Sequence, residues 1–278
     1  MPHVAGEVQA YSMASSKLVK LRMSAGYSCR LCNQQRNLVK AHAIPEAFFR
    51  ASKSGSEHLL MVGNTRAGAP RRMPIGVYDP GILCGDCETL FGEYDDYGAK
   101  VLLSRFDELF SPVYSGAKTI AFESTSVDQD KLLRFIVSVL WRASVSTLPF
   151  YSGVDLAGFA NQAARVVLNP DQEVPSVFEA VLWRWHAIGG MQTYAGSIAN
   201  PVRQRIGIAN VYRLYLGQTM TIIKVSGSRL PPAMESLRIG AQSSLFAIAG
   251  DFASSKDFET MVSIVRNSPR WPSKRKPI

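Results

Sequence analysis

The sequence predicts an α+β protein, with a small zinc-binding unit followed by helices and an antiparallel sheet. Three observations carry that reading. All four cysteines fall into two CxxC pairs, Cys29-Arg-Leu-Cys32 and Cys84-Gly-Asp-Cys87. Apolar residues keep helical spacing from Cys87 to Leu109, and again up to about Ser146. After Asn169-Pro170 the apolar period falls to two, as expected for half-buried strands.

Two CxxC pairs with no cysteine left over read as one four-thiolate zinc site. A two-residue spacer lets both sulfurs of one turn reach an ion at about 2.3 Å. Disulfides are the first alternative, but they need an oxidising compartment, and residues 1–14 lack the pattern of a signal peptide. A redox pair is the second, and it explains one CxxC better than two. No apolar run is long enough to span a bilayer, so a cytoplasmic location without membrane contact is expected.

The chain carries 31 Lys and Arg against 22 Asp and Glu, a formal charge of +9. A basic surplus suits a polyanion partner, because each neutralised phosphate releases counterions. It also occurs in proteins that bind no nucleic acid. The local clusters are Arg71-Arg72 and the tail from Arg270 to Lys276, which reads equally as a solvated chain end.

The expected organisation is an arm over residues 1–22, a zinc unit over 23–111, and an α+β domain with a basic tail over 112–278. Leu38 to Ile44 alternates as a strand that Pro45 ends, and Glu46 to Arg50 reads as a short helix. Residues 52–81 form a long Gly-, Ser-, Pro- and Arg-rich excursion, in which residues 59–62 read as a strand and Asp79-Pro80-Gly81 signals a turn. A helix is expected from Cys87 to Leu109. Residues 112–127 read as a link. Ser126 and Gln129 have capping-box spacing before a nearly all-apolar helix that Pro149 closes. Another helix is expected over 156–168. Strands are expected around residues 181–186, 206–215, 220–225 and 245–249, with a hairpin turn at Gly217-Gln218 and a last helix over 254–265.

Within 27–100, the order CxxC, strand-borne His-Ala-Ile-Pro, then Leu-Cys-x-x-Cys opening a helix resembles the HNH endonucleases that carry a structural zinc. The resemblance implies a treble-clef-like ββα-metal finger. It implies hydrolysis of phosphodiester bonds, most readily in DNA, with a divalent cation such as Mg²⁺ or Mn²⁺ beside the structural Zn²⁺. His42 takes the place of the general base. Ala41 stands where the family has a metal-binding Asp, so one ligand is missing. Asp79 stands near the orienting Asn, and Glu88 stands in the position of the final His. Asp79 and Glu88 are therefore the candidate ligands of the catalytic cation, with Glu46, Glu93 and Asn64 as substitutes. Free-standing proteins with this resemblance are often found in phage–host conflict.

Each residue also has an ordinary explanation. His42 can be a packed core histidine, and Asp79 a turn residue before Pro-Gly. Glu88 in the first turn of a helix is stabilised by the dipole alone. Arg66, Arg71 and Arg72 suit phosphate contacts, or simply make a basic loop. Trp183, Trp185 and residues 212–215 offer faces for stacking bases, or make up sheet core. His186 reads as structural. The alternative to an enzyme is a non-catalytic, zinc-stapled module for nucleic acid or a protein partner. In either case the second half supplies specificity, a partner surface or a contact between copies.

Overall fold

The structure is a computed structural model, and it describes residues 28–51, 60–61, 71–72, 76–185 and 200–266. The N-terminal unit is built on β1 (Leu38–His42), which runs antiparallel to β4 (Tyr78–Cys84). The short helix α1 (Glu46–Ala51) follows Pro45 and buries Phe48 and Phe49. A two-stranded ribbon, β2 (Leu60–Met61) with β3 (Arg71–Arg72), lies in the excursion between the two long strands. From Cys84 the chain turns directly into α2 (Gly85–Ala99). The paired strands β1 and β4 thus lead into α2, with α1 and the β2–β3 ribbon lying between them in the chain.

The Asp-Pro-Gly signal is expressed as a bulge inside β4 rather than as a free turn. Val39 pairs with Leu83, and Ala41 pairs with Asp79, so three residues of β4 lie opposite Lys40 alone. The Asp79 carboxylate accepts from the Gly81 N–H at 2.8 Å, which is local Asx-turn chemistry. Strand pairing continues on both sides of the bulge because Ile82, Leu83 and Ala41 are fully buried there.

The helix expected from Cys87 to Leu109 is divided. After α2, residues Lys100–Ser104 form a π-helical turn, and α3 (Phe106–Leu109) follows. Residues 112–127 are not a link. They contain the hairpin β5 (Ser111–Ser115) and β6 (Lys118–Ser124). The central helix α4 (Gln129–Val145) is capped by Asp128, whose side chain accepts from Lys131 N at 3.0 Å. The Ser126–Gln129 capping box does not form, because Gln129 is used elsewhere. Its amide donates to the carbonyls of Gln242 and Ser243 and accepts from Gly240 N. Helix α5 (Ala160–Leu168) packs on α4.

The sheet is completed by β7 (Phe178–Trp185), β8 (Val202–Ile206), β9 (Ala209–Leu216), β10 (Thr219–Val225) and β11 (Leu245–Gly250). Its order is β5-β6-β11-β7-β10-β9-β8. The pairing is antiparallel except between β11 and β7, which are parallel, so the sheet is mixed. The period-two run over 206–215 crosses a turn. Ile206 pairs with Ala209 across Gly207 and Ile208, and Gly207 takes φ +57°. The Gly217-Gln218 turn joins β9 to β10 as expected. After α6 (Pro232–Glu235) and β11 comes α7 (Lys256–Arg266).

One sheet face places Phe178, Ala180, Leu182, Tyr212 and Leu214 in a core shared with α2, α4 and the cysteine unit. The other face packs Val181, Val211, Tyr215 and Ile222 with Leu230 and Phe252. Trp183 and Trp185 join this second cluster, with Trp185 5.4 Å from Phe252. Tyr212 is buried, with its hydroxyl bonded to the backbone of Asp155. These aromatics are sheet core, not stacking platforms, because both faces of this sheet are covered.

Gly98 lets α2 pack closely against the Phe135 ring of α4. A Cβ built there would lie 2.3 Å from the Phe135 ring, which is itself fully buried and stacked on Phe48. Gly98→Ala gains about 1 kcal/mol of helix propensity. It loses about 1–3 kcal/mol to overpacking. The expected result is a lower urea midpoint at unchanged slope. A midpoint at or above wild type would show that the Phe135 ring yields freely.

Candidate functional site

The first cysteine pair sits on a tight turn. Asn33 N donates to Cys29 O at 2.8 Å, and Asn33 takes φ +57°, which asparagine tolerates. Arg30 N donates to Ile82 O at 2.8 Å, which fastens this turn to β4. Cys84 ends β4, and Cys87 lies in the first turn of α2. The four sulfurs lie within 4.8 Å of one another, and Cys32 Sγ is 4.0 Å from Cys84 Sγ. Tetrahedral thiolates at about 2.3 Å from one ion stand roughly 3.8 Å apart. The geometry therefore fits one metal ion held by four sulfurs. No disulfide links them.

The electrostatics favour thiolate at one ligand. Burial pushes the Cys29 thiol up, but backbone N–H groups from Cys32, Cys84 and Leu31 outweigh it and bring it down to about 7. One of these bonds is Cys84 N to Cys29 Sγ at 3.4 Å. Cys87 is pushed up by burial and by the neighbouring sulfurs, an effect that a bound cation reverses.

His42 ends β1, opposite Tyr78. Its ring is half-buried, 6.0 Å from the Tyr78 ring and 6.3 Å from Phe49. Glu88, Phe91 and Asp95 lie three and four residues apart along one face of α2. Burial raises the Asp95 carboxyl, while Arg142 and the neighbouring His42 favour its charge. Arg142 Nη1 donates to Asp95 Oδ2 at 2.7 Å and Nη2 to Oδ1 at 2.5 Å, so the pair is bidentate. The same guanidinium donates to the His42 carbonyl at 2.8 Å and lies 4.6 Å from the Phe91 ring centroid. Glu88 has one oxygen, Oε2, that is buried and has no hydrogen-bond partner. Burial raises its carboxyl, Arg142 lowers it, and Asp95 raises it again.

Asp79 stands apart from this group. Its Oδ1 holds Gly81 N, and its Oδ2 accepts from Ser146 Oγ at 2.8 Å, Thr147 N at 2.7 Å and Thr147 Oγ1 at 3.1 Å. It is 2 % exposed, and these bonds account for its burial. The structure thus uses Asp79 to fasten β4 to the end of α4. Among the described residues, no group of three His, Cys, Asp or Glu converges as the four cysteines do, so His42, Asp79 and Glu88 share no single ion position. Of the substitutes, Glu46 lies 3.8 Å from Arg50, and Glu93 pairs with Lys131. Arg71 and Arg72 form β3. Arg66, Asn64, His186 and the basic tail lie outside the described residues.

Sequence reasoning missed Asp95 and Arg142. A signal existed for Arg142, which with Arg134 is one of two cations in the apolar run from Leu132 to Ala143, where a buried charge requires a partner. Asp95 had only its seven-residue offset from Glu88.

Two measurements test this description. The purified chain is expected to carry one tetrahedral metal ion, and Cys84→Ser to lose it with a marked fall in melting temperature. Metal content below half an equivalent in well-folded protein would sink the four-sulfur site. For Asp79, hydrogen bonds lower the folded-state pKa despite burial. Its stabilisation is present above the unfolded value of about 3.9 and is lost as pH falls through the lower folded value. Asp79→Asn is therefore expected to be less stable by about 1–3 kcal/mol at pH 7. The gap to wild type should narrow below about pH 4, since acid release of the metal affects both proteins alike.

No helix among the described residues is long and apolar enough to cross a membrane. Comparison of the chain with protein-family models, curated proteins and solved structures gave no match, so the likeness to HNH endonucleases stands on the cysteine, histidine and ββα pattern alone.

Proposed function

We propose that the chain is a zinc-stapled nuclease of the HNH type, with DNA as its substrate and His42 as the general base. What supports this most is the placement of His42 at the end of β1, where Arg142 joins its carbonyl to Asp95 on the helix that opens from the second CxxC pair. Zinc is the metal that four thiolates in two turns select. Its role is to fix the start of α2 against β1.

Asp95, not Asp79, is the residue that orients His42 in this reading. It is held rigid by Arg142, and its negative charge stabilises the imidazolium that forms when His42 takes a proton from water. Arg142 fixes the His42 backbone through its carbonyl. Glu88 is the one carboxylate near this site with an unused buried oxygen, so it would hold a hard cation. Such a cation, when bound, supplies counter-charge for the phosphate and for the leaving oxygen. Ala41 and the saturated Asp79 would add no ligand, so a cation here would depend on Glu88, with water and substrate phosphate as its other partners.

The rival reading is a non-catalytic module, and two observations favour it. Ala41 replaces a ligand, and no second converging group of metal-binding side chains exists among the described residues. Incubation of supercoiled plasmid with Mn²⁺ or Mg²⁺ separates the two. Nicking is expected for wild type, with His42→Ala slower by about 100-fold or more. Glu88→Gln should need more Mn²⁺ to reach the same rate. Retardation of the plasmid without nicking, equal in all three proteins, would establish the binder instead.

A further inference from the structure

The hairpin of β8 and β9 lies at one end of the sheet, where β8 has a sheet neighbour on one side only among the described residues. Residues 202–216 contain three arginines and no Asp or Glu. Arg203 and Arg205 are both exposed on β8 and lie two residues apart, so they leave the same face of the strand. On an extended strand that spacing is about 6.8 Å. It is comparable to the separation of successive phosphates along one nucleic-acid strand. Among the described residues neither is paired with a carboxylate, and nor is the exposed Arg229. The turn of the hairpin approaches Pro231, since a Cβ at Gly207 would lie 3.8 Å from its ring, and Arg229 is therefore close to the same end. The turn also carries Ile208 at 74 % exposure, more than any other large apolar residue among those described.

Each feature alone is ordinary. Single exposed apolar residues need no explanation, and surface arginines are common. Their combination is what calls for one. The end strand has aligned cations that make no ion pair among the described residues, an apolar tip, and no Asp or Glu within residues 202–216; Asp155, bonded through its backbone to Tyr212 opposite Arg203, lies on the neighbouring segment. Protective edge charges are a common way to block strand addition, but a lysine or a bulge would serve that purpose as well. Planar guanidinium groups match phosphate in a way that lysine does not.

We infer that the β8–β9 hairpin is a nucleic-acid contact, in which Arg203 and Arg205 hold consecutive backbone phosphates and Ile208 rests against a base or groove edge. The inference rests on the reading that this chain acts on nucleic acid. It does not depend on cleavage. The phosphate contacts supply affinity and register without sequence preference. The apolar tip adds an interaction that salt does not screen.

The test uses the full chain with its metal, in the His42→Ala background so that the probe stays intact. Binding of a labelled single strand and of the matching duplex is followed by anisotropy across a salt series. Removing both arginines by Arg203→Ala with Arg205→Ala is expected to weaken binding on the order of tenfold near 0.1 M salt. The slope of log K against log salt should fall by about 1.4 for the single strand and about 1.8 for the duplex. Ile208→Ser should weaken binding with no change of slope. Metal content and melting temperature check that each variant is folded, and Lys118→Ala, on β6 near the other end of the sheet, is the control. If wild type binds but the double variant keeps its slope, the hairpin assignment falls and the nucleic-acid reading survives. If wild type binds neither probe, both fall. Equal affinity for polyglutamate would assign the edge to an acidic peptide and overturn the phosphate contact.

Discussion

Removing a guanidinium from water costs several kcal/mol unless its donors are matched and its charge is balanced. Arg142 has no exposed side-chain surface, and the structure meets both conditions at once. Asp95 balances the charge in a two-point pair, the His42 carbonyl takes a third bond, and Ser138 accepts at the limit of hydrogen-bond distance. The ring of Phe91 covers one face, and Trp141 stacks on Phe91 at 5.7 Å. Losing any one charged partner would leave the other buried and uncompensated, a penalty of about 3–5 kcal/mol. Three elements, β1, α2 and α4, therefore have their relative positions fixed by one side chain.

The finger is gripped at both ends of its strand pair. At one end Leu38 lies opposite Cys84, where the sulfurs gather. At the other, His42 lies opposite Tyr78, where the end of α4 takes hold. There Arg142 reaches the His42 carbonyl, and Ser146 and Thr147 reach Asp79. This second grip explains why Asp79 cannot also serve a cation. Its carboxylate accepts four hydrogen bonds, and a metal would have to displace those donors. The chemistry proposed for this region thus depends on His42, Asp95 and Glu88. Among them, Glu88 alone keeps a buried oxygen that nothing in the fold uses.

What could be read from the sequence was local. The CxxC spacing, the strand before Pro45, the Gly217-Gln218 hairpin and the helix from Gln129 to Val145 are set by neighbours in the chain. What could not be read is decided over long separations. Gln129 leaves its local cap because carbonyls more than a hundred residues away need a donor. The alternation over 206–215 hides a turn, since Ile208 keeps the period while pointing into solvent. The parallel pairing of β11 with β7 leaves no local trace. The candidate site divides in the same way. The thiols and His42 announced themselves by motif, whereas Asp95 acquired its meaning only when α4 brought Arg142 beside it.

A second buried guanidinium shows how the finger and the sheet became one folding unit. Arg184 on β7 lies 3.8 Å from the centroid of the Phe106 ring and donates to the Leu102 carbonyl at 3.2 Å. Burial lowers its pKa to about 10, still far enough above neutrality to keep the charge. Leu102 lies in the π-helical turn after α2, where the widened backbone displaces carbonyls from their usual partners. The arginine satisfies one of them from the sheet side. Next to it Leu103 packs against Gly217, where a Cβ would lie 2.5 Å away and where φ is +65°, so glycine is required on two counts. The end of α2 is thus shaped by the sheet, just as its face is shaped by α4. A cut after residue 111 would strip Phe48 and Gly98 of their shared partner Phe135 and leave the half-buried Asp95 without Arg142. The cysteine unit has the outline of a detachable finger, but its buried charges are balanced from outside it.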